Sequence, residues 1–124
     1  KPETLWKQTY GSPRKDRYYS APLLVDGLLY AINRNGILSV LDAKTGELVY
    51  EQKTGLRRDV YPSPALVGKN ILVSGSHGKI IVLKPGRTYE VVKENNLEPF
   101  RSCPVVYNGK MYIRGLKNLY CIGQ

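Results

Sequence analysis

Short apolar runs separated by glycine, proline and asparagine turns recur along the whole chain. Runs of this length, rich in Val, Ile, Leu and Tyr, predict β-strands rather than helices. They fall into three sets, whose strands we label A to D in chain order. The predicted strands are 21–25, 28–33, 37–42 and 47–54 in the first set, 64–67, 70–74, 79–84 and 88–94 in the second, and 103–107, 110–114 and 118–122 in the third. The pattern therefore predicts an all-β protein.

One sequence segment recurs in similar form three times, at 20–30, 63–72 and 102–112. Its anchoring prolines are Pro22, Pro64 and Pro104, which are separated by 42 and 40 residues. A self-repeat near 40 residues, built from short strands and glycine turns, is the signature of β-propeller blades. We therefore expect three blades of four antiparallel strands each.

The third set has no D strand, but residues 3–9 match the D strand of the first set at 47–54. The sequence thus predicts a last blade that is split between N-terminal and C-terminal strands, which would protect two exposed edges. The prediction is one domain over 1–124. Its blade units are about 12–55, 56–95 and 96–124, the last completed by strand 3–9.

Three blades are fewer than the four to eight of ordinary propellers. Two outcomes remain open from the residues. The chain is the C-terminal part of a longer propeller, or two copies form a homodimer that closes a six-bladed ring by exchanging strand 3–9.

Residues 40–50 resemble the docking motif of the PQQ-like (quinoprotein) propeller family, which reads Ala-x-Asp-x-x-Thr-Gly and ends in Trp. Residues 114–123 resemble the closing blade of bacterial members of that family, whereas 84–87 depart from the motif. The resemblance implies that the Asp and Thr hold the turn, that the Gly takes a positive φ, and that the aromatic packs between blades. The structural docking residues implied are Trp6, Asp42, Thr45, Gly46 and Tyr50.

Charge is unevenly distributed over the predicted blades. The chain has 19 Lys and Arg against 10 Asp and Glu, a formal charge of +9, which favours anionic partners. In a four-stranded blade the D–A and B–C loops emerge on one face of the ring, and this D–A/B–C face carries nearly all the excess charge. Its acidic residues are Asp16, Asp59 and Glu98. Its basic residues are Arg14, Lys15, Arg17, Arg34, Arg57, Arg58, Lys79, Arg101, Arg114 and Lys117.

Most of these basic residues are arginines, which favour bidentate contacts with carboxylate or phosphate. Tyr18, Tyr19 and Tyr61 stand in or beside the same loops. The face therefore predicts binding of an acidic peptide, a polyanionic glycan or a phosphorylated ligand. The same pattern also fits a basic surface with no specific ligand. No nucleic-acid motif is present, and no apolar run approaches the roughly 18 residues of a membrane span.

The remaining polar residues predict no catalytic residue, no metal site and no cofactor. His77 is expected to be a solvated turn residue, and Asp59 is expected to pair with the preceding arginines. Cys103 and Cys121 fall on strands A and C of the last blade. Strands lie about 4.8 Å apart, so two sulfurs separated by an intervening strand exceed disulfide reach. We expect two free, mostly buried thiols.

The family resemblance implies two functional branches. One contains dehydrogenases that hold the quinone PQQ and Ca²⁺ with carboxylate and amide ligands and often use adjacent cysteines. The other is non-enzymatic and resembles the BamB type, an outer-membrane-associated scaffold. Few loop carboxylates and no adjacent cysteines are present here. We therefore predict a non-catalytic bacterial module, periplasmic or exported, for protein or anionic-ligand binding. The alternatives are a fragment of a PQQ-dependent dehydrogenase or purely structural closing blades.

Overall fold

The computed structural model describes residues 2–8 and 20–123, and within them it contains strands and no helix. The strands are β1 (Leu23–Val25), β2 (Leu28–Ile32), β3 (Ile37–Asp42), β4 (Leu48–Lys53), β5 (Ala65–Val67), β6 (Asn70–Ser74), β7 (Lys79–Leu83), β8 (Val91–Asn96), β9 (Val105–Tyr107), β10 (Lys110–Arg114) and β11 (Leu119–Ile122). They form three antiparallel sheets in the orders β1-β2-β3-β4, β5-β6-β7-β8 and β11-β10-β9. The predicted all-β fold is confirmed.

The N-terminal segment corrects one detail of the prediction. Residues 2–8 form no strand, so the predicted strand over 3–9 does not complete the third sheet within the described chain. Trp6 instead lies on the turn between β3 and β4, where its Nε1 donates a hydrogen bond to the Ala43 carbonyl at 3.0 Å. Its indole ring packs against Gly46, at a place that a Cβ would fill.

The hydrophobic core lies between the sheets, in two clusters. One is buried between the first and second sheets and includes Tyr30, Ile32 and Ile71. The other is buried between the second and third sheets and is centred on Phe100 and Ile113. Each sheet thus stabilises the fold by packing its faces against its neighbours, as propeller blades do.

The sequence repeat is reproduced as a repeat of contacts. The backbone N–H of Ala21 donates to Ser63 Oγ at 2.9 Å, and the N–H of Ser63 donates to Cys103 Sγ at 3.3 Å. These partners are 42 and 40 residues apart, the same spacings as the anchoring prolines. The three sheets are therefore joined in succession at the entry to their first strands.

The turn between β3 and β4 is fixed by the residues of the predicted docking motif. Asp42 Oδ1 accepts hydrogen bonds from the backbone N–H groups of Lys44 at 2.9 Å and Thr45 at 3.1 Å. Thr45 Oγ1 accepts one from the N–H of Glu47, and Gly46 adopts a φ of 78°. These bonds, above all that from Thr45, lower the pKa of Asp42 below its ordinary value. The charged form of Asp42 is thus the form that the turn stabilises.

Acid should selectively weaken this turn. Because the pKa of Asp42 is lower in the folded state than in the unfolded state, its stabilisation is present above the unfolded value of 3.8 and is lost as the pH falls through the folded value. We expect Asp42→Asn to lower the melting temperature at neutral pH and to differ less from the wild type below about pH 4. Thermal unfolding across pH checks this, with the exposed Glu47→Gln as the charge control. A difference in melting temperature between the wild type and Asp42→Asn that stays the same at every pH would contradict this prediction.

Both cysteines are free, as predicted, but both are exposed rather than mostly buried. Cys103 lies two residues before β9, all three residues of which are exposed, and Cys121 lies in β11 at the other edge of the third sheet. In the part of the chain that the structure describes, no further sheet covers it.

Candidate functional site: a cavity between basic loops

The D–A and B–C loops meet at one end of the sheets. The N–H of Val60, in the connection from β4 to β5, donates to the Arg34 carbonyl in the β2–β3 turn at 3.1 Å. The N–H of Tyr61 donates to Ser76 Oγ in the β6–β7 turn at 3.2 Å. In the same manner, the N–H of Leu116 donates to the Pro99 carbonyl at 3.1 Å. Loops distant in sequence are thereby tied into one surface.

A cavity of about 280 Å³ opens between these loops. Its walls come from the connections after β4 and β8 and from the turns after β6 and β10. The lining residues are Arg58, Asp59, Tyr61, Ser76, His77, Pro99, Arg101 and Leu116. We call this the loop cavity.

Arg101 is held in place by an aromatic ring. Its guanidinium carbon lies 5.2 Å from the centroid of the Tyr61 ring, which is within the range of a cation–π interaction. No carboxylate of the described residues forms an ion pair with Arg101. Its donors are therefore oriented by the ring without being neutralised by an acid.

Asp59 is engaged chiefly by an arginine from another loop. Arg34 Nε lies 3.0 Å from Asp59 Oδ1, and the Arg34 side chain is only 19% exposed. Arg58 Nε is 4.0 Å from the same oxygen, and its side chain is 64% exposed. The predicted pairing with a preceding arginine is thus present at longer range, and the shorter pair with Arg34 depends on how the loops pack. Arg58 extends at the rim of the loop cavity.

The Glu98 carboxylate is hydrogen-bonded to the β10–β11 turn. Its carboxylate accepts hydrogen bonds from the backbone N–H groups of Lys117 at 3.1 Å and Asn118 at 2.9 Å. Burial raises the pKa of Glu98, but hydrogen bonds from Tyr120, Asn118 and Lys117 outweigh it and lower that pKa overall. Both acidic residues of this face within the described chain therefore have partners, while the exposed basic residues around them keep the potential positive.

The predicted anion-binding residues do not all gather at the loop cavity. Arg58 and Arg101 line it, and Arg34 supports it through Asp59. Lys79 lies 3.5 Å from Glu94 and is partly neutralised. The remaining described members are exposed at the surface: Arg57, Arg114 and Lys117. Three lie outside the described residues: Arg14, Lys15 and Arg17.

Four lining residues were not predicted as part of a site. His77 is exposed, as expected for a turn residue, but it also faces the loop cavity together with Ser76. Pro99 and Leu116 close the side nearest the third sheet. Their positions in D–A and B–C loops were the available signal, because those loops share one face of a blade.

The Ca²⁺ site of the dehydrogenase branch would need several oxygen ligands held close together. Among residues 2–8 and 20–123, no three His, Cys, Asp or Glu side chains cluster as metal ligands. The two cysteines are 18 positions apart in sequence and do not form a vicinal pair. We therefore assign no residue to cofactor binding. Within the same ranges there is also no helix with the length and hydropathy of a membrane span.

Comparison with known proteins identifies the repeats. No family model matches the chain. It is 29% identical over 93 residues to the outer membrane protein assembly factor BamB of Yersinia pestis, covering 74% of this chain and 23% of the relative. It is 37% identical over 75 residues to BamB of Legionella pneumophila, covering 60% and 18% respectively.

Solved structures agree on the fold. BamB from Moraxella catarrhalis superposes with a TM-score of 0.66 at 19% identity, covering 82% of this chain and 32% of that one. The sheets have the fold of PQQ-like β-propeller blades and are similar to those of BamB. Quinohemoprotein alcohol dehydrogenase from Comamonas testosteroni shares this fold, with a TM-score of 0.64 at 20% identity over 78% of this chain and 17% of that one. The predicted propeller type and bacterial origin are confirmed. The chain spans about a fifth of the length of its curated relatives.

Aromatic docking differs between the blades of this propeller. Trp6 packs on the β3–β4 turn, and Tyr50 meets Tyr89 edge to face, with ring centroids 6.3 Å apart and an interplanar angle of 65°. Burial raises the pKa of Tyr50 well above its ordinary value. At the next blade the corresponding residue of β8 is Lys93, because Lys93 pairs with Val82 as Tyr50 pairs with Val40. The interface between the second and third blades thus lacks a docking aromatic of its own.

Proposed function

We propose that this chain is a non-catalytic propeller module that binds an acidic segment of a partner protein at its D–A/B–C loop face. The observation that carries the proposal is the loop cavity, where Arg101 is oriented by Tyr61 and Arg58 extends at the rim. The nearby carboxylates of Asp59 and Glu98 are already engaged within the protein. An incoming carboxylate therefore meets Arg101, which has no ion-pair partner among the described residues, and beside it Arg58, whose pair with Asp59 is long at 4.0 Å.

The shape of the loop cavity favours a peptide over a bulky polyanion. A volume of about 280 Å³ suits one or two side chains. The flanking exposed basic residues Arg57, Arg114 and Lys117 extend the positive surface beyond it. Arginines of this kind form charge-assisted hydrogen bonds with carboxylates, and the surrounding field accelerates encounter with an acidic partner.

The relatives support a protein partner and an extracytoplasmic location. Both curated relatives are described as outer membrane protein assembly factors. We propose that this module likewise serves a protein assembly at the bacterial cell envelope and is exported to the periplasm.

The binding claim is tested with a fluorescent peptide of alternating Asp, Glu and Gly, titrated at low and physiological salt. We expect saturable binding that weakens as salt rises. Arg101→Glu and Arg58→Glu should each weaken binding at least about tenfold, because each removes a donor and adds repulsion. Phosphopeptide and heparin fragments serve as competing ligand classes.

Matched controls place the same charge change on the other face. Lys44→Glu and Arg87→Glu alter exposed basic residues in the turns after β3 and β7. They should change the affinity by less than about twofold, because these charges lie outside the proposed contact. Equal losses for both pairs of variants would show that only net charge matters and would refute a site at the loop cavity.

A further inference from the structure

A second, larger cavity lies between the second and third sheets, away from the loop cavity. It is a groove of about 460 Å³ with an apolar floor and a polar rim. The floor comes from Val67, Leu72, Ile80, Val82, Leu97, Met111 and Ile122. The rim comes from Asn70, Lys93, Asn95 and Asn96. We call it the interblade groove.

The corresponding space between the first and second sheets is filled by tyrosines. Tyr30 is fully buried there, and its hydroxyl accepts a hydrogen bond from the Gly86 N–H at 3.0 Å. Tyr50 and Tyr89 pack against the same core cluster and contact each other edge to face. Three aromatic rings thus occupy the interface that the repeat makes equivalent to the groove.

Strand register shows which residues of the second sheet occupy the positions held by tyrosines in the first sheet. In each of the first two sheets, three residues lie side by side across the second, third and fourth strands. They are Tyr30, Val40 and Tyr50 in the first sheet and Leu72, Val82 and Lys93 in the second. Leucine and lysine therefore stand where two tyrosines stand in the preceding blade. The volume of those rings is missing, and an ammonium group stands at the rim.

We propose that the interblade groove binds an aromatic side chain flanked by a carboxylate, presented on an extended segment of a partner polypeptide. The aromatic ring matches the rings that fill the equivalent interface, and the apolar floor would bury it. The carboxylate complements Lys93, since the acid beside it in sequence, Glu94, is paired with Lys79. The amides of Asn95 and Asn96 complete a polar rim that suits the backbone of such a segment.

This site is independent of the proposed function at the loop cavity, because the two cavities share no lining residue. It also differs in chemistry. The loop cavity offers oriented arginines to acidic groups, whereas the groove offers burial to an aromatic ring and one cation to the adjacent acid.

The experiment uses the whole chain and the peptide acetyl-Leu-Val-Tyr-Glu-Gln-amide, which copies the aromatic–acid order of β4. Two further peptides replace its Tyr by Ala or its Glu by Lys. We expect saturable ¹⁵N chemical-shift changes at Lys93, Met111 and Ile122 with the first peptide. The alanine peptide should give none, and the lysine peptide should bind about two- to fivefold more weakly, the effect expected of an exposed ion pair.

Variants of Lys93 test the groove directly. Lys93→Tyr restores the aromatic of the preceding blade, so it should fill the groove and abolish binding. Lys93→Gln should weaken the parent peptide two- to fivefold, an effect of the size expected for an exposed ion pair, and remove its advantage over the lysine peptide. Lys44→Gln, at an exposed turn, is the charge-matched control and should bind like the wild type.

Three results would overturn the proposal. Unchanged binding by Lys93→Tyr would place the peptide elsewhere. Equal binding of the alanine peptide would exclude an aromatic pocket. A wild-type chain that sediments as a dimer and fails to bind peptide would show that a second copy occupies the groove.

Discussion

Replacing Tyr30 by alanine is expected to lower the free energy of unfolding by about 3–5 kcal/mol, the usual cost of removing a large buried aromatic. Tyr30 is fully buried between the first and second sheets. Its loss would leave a cavity in the larger core cluster and would leave the Gly86 N–H without its hydroxyl partner. Denaturant unfolding followed by far-UV circular dichroism measures the change.

Two variants separate the causes of that loss. Tyr30→Phe keeps the ring and removes only the hydroxyl, so it should cost about 1–2 kcal/mol. Tyr107→Ala removes a tyrosine that is 66% exposed and should cost less than about 0.5 kcal/mol. If Tyr30→Ala were no more destabilising than Tyr107→Ala, the first two sheets would not share the core described above.

The Gly78→Ala variant is expected to cost about 2–4 kcal/mol, combining backbone strain with a steric clash. Gly78 has a φ of 98°, and a Cβ there would overlap the Leu97 carbonyl oxygen and lie 3.0 Å from the Glu98 carbonyl oxygen. Both neighbours are backbone atoms of the β8–β9 connection. That connection is already tied to Gly78 by the Leu97 N–H to Gly78 carbonyl bond at 2.8 Å, so it has little freedom to move.

Gly109→Ala isolates the conformational part of this effect. Gly109 also has a positive φ, 72°, but nothing lies within 4 Å of its would-be Cβ. We expect it to cost about 1–2 kcal/mol, the left-handed penalty alone. Equal costs for the two substitutions, measured by denaturant unfolding, would contradict the close packing of the β8–β9 connection on the β6–β7 turn.

The central strands of each blade are the part of the fold that the sequence predicts best. Strands β2 and β3 begin and end within one residue of the predicted 28–33 and 37–42. Glycine turns mark their ends, and both faces of these strands are apolar, so local pattern and burial agree. The 42- and 40-residue spacings then predict the blade repeat without further information.

Outer strands are predicted less well, because they depend on what lies beside them. The fourth strand of the second sheet is Val91–Asn96 rather than 88–94, since Tyr89 packs against the core and the register shifts between Val82 and Leu83. Residues 2–8 carry the pattern of an outer strand but form none. Their aromatic, Trp6, packs on a turn of the first sheet instead.

The candidate site is likewise predicted from the sequence only in part. Blade topology correctly groups the loops that form the loop cavity, because it depends only on strand order. The Arg34–Asp59 pair is not foreseeable, since it depends on how side chains of two different loops pack. The Lys79–Glu94 pair joins two strands that the pattern makes neighbours, but it depends on their exact register. The interblade groove is not predictable from the pattern either, because strand register is what puts Lys93 in the place of a tyrosine.

The most direct test of the account is to map where an acidic peptide binds on the whole ¹⁵N-labelled chain. At low salt, we predict that the largest chemical-shift changes fall on Arg58, Tyr61, Ser76, His77 and Arg101, and that they disappear in Arg101→Glu. Changes spread evenly over the basic residues of both faces, and unaffected by Arg101→Glu, would contradict the proposal that this propeller module binds its partner at the loop cavity.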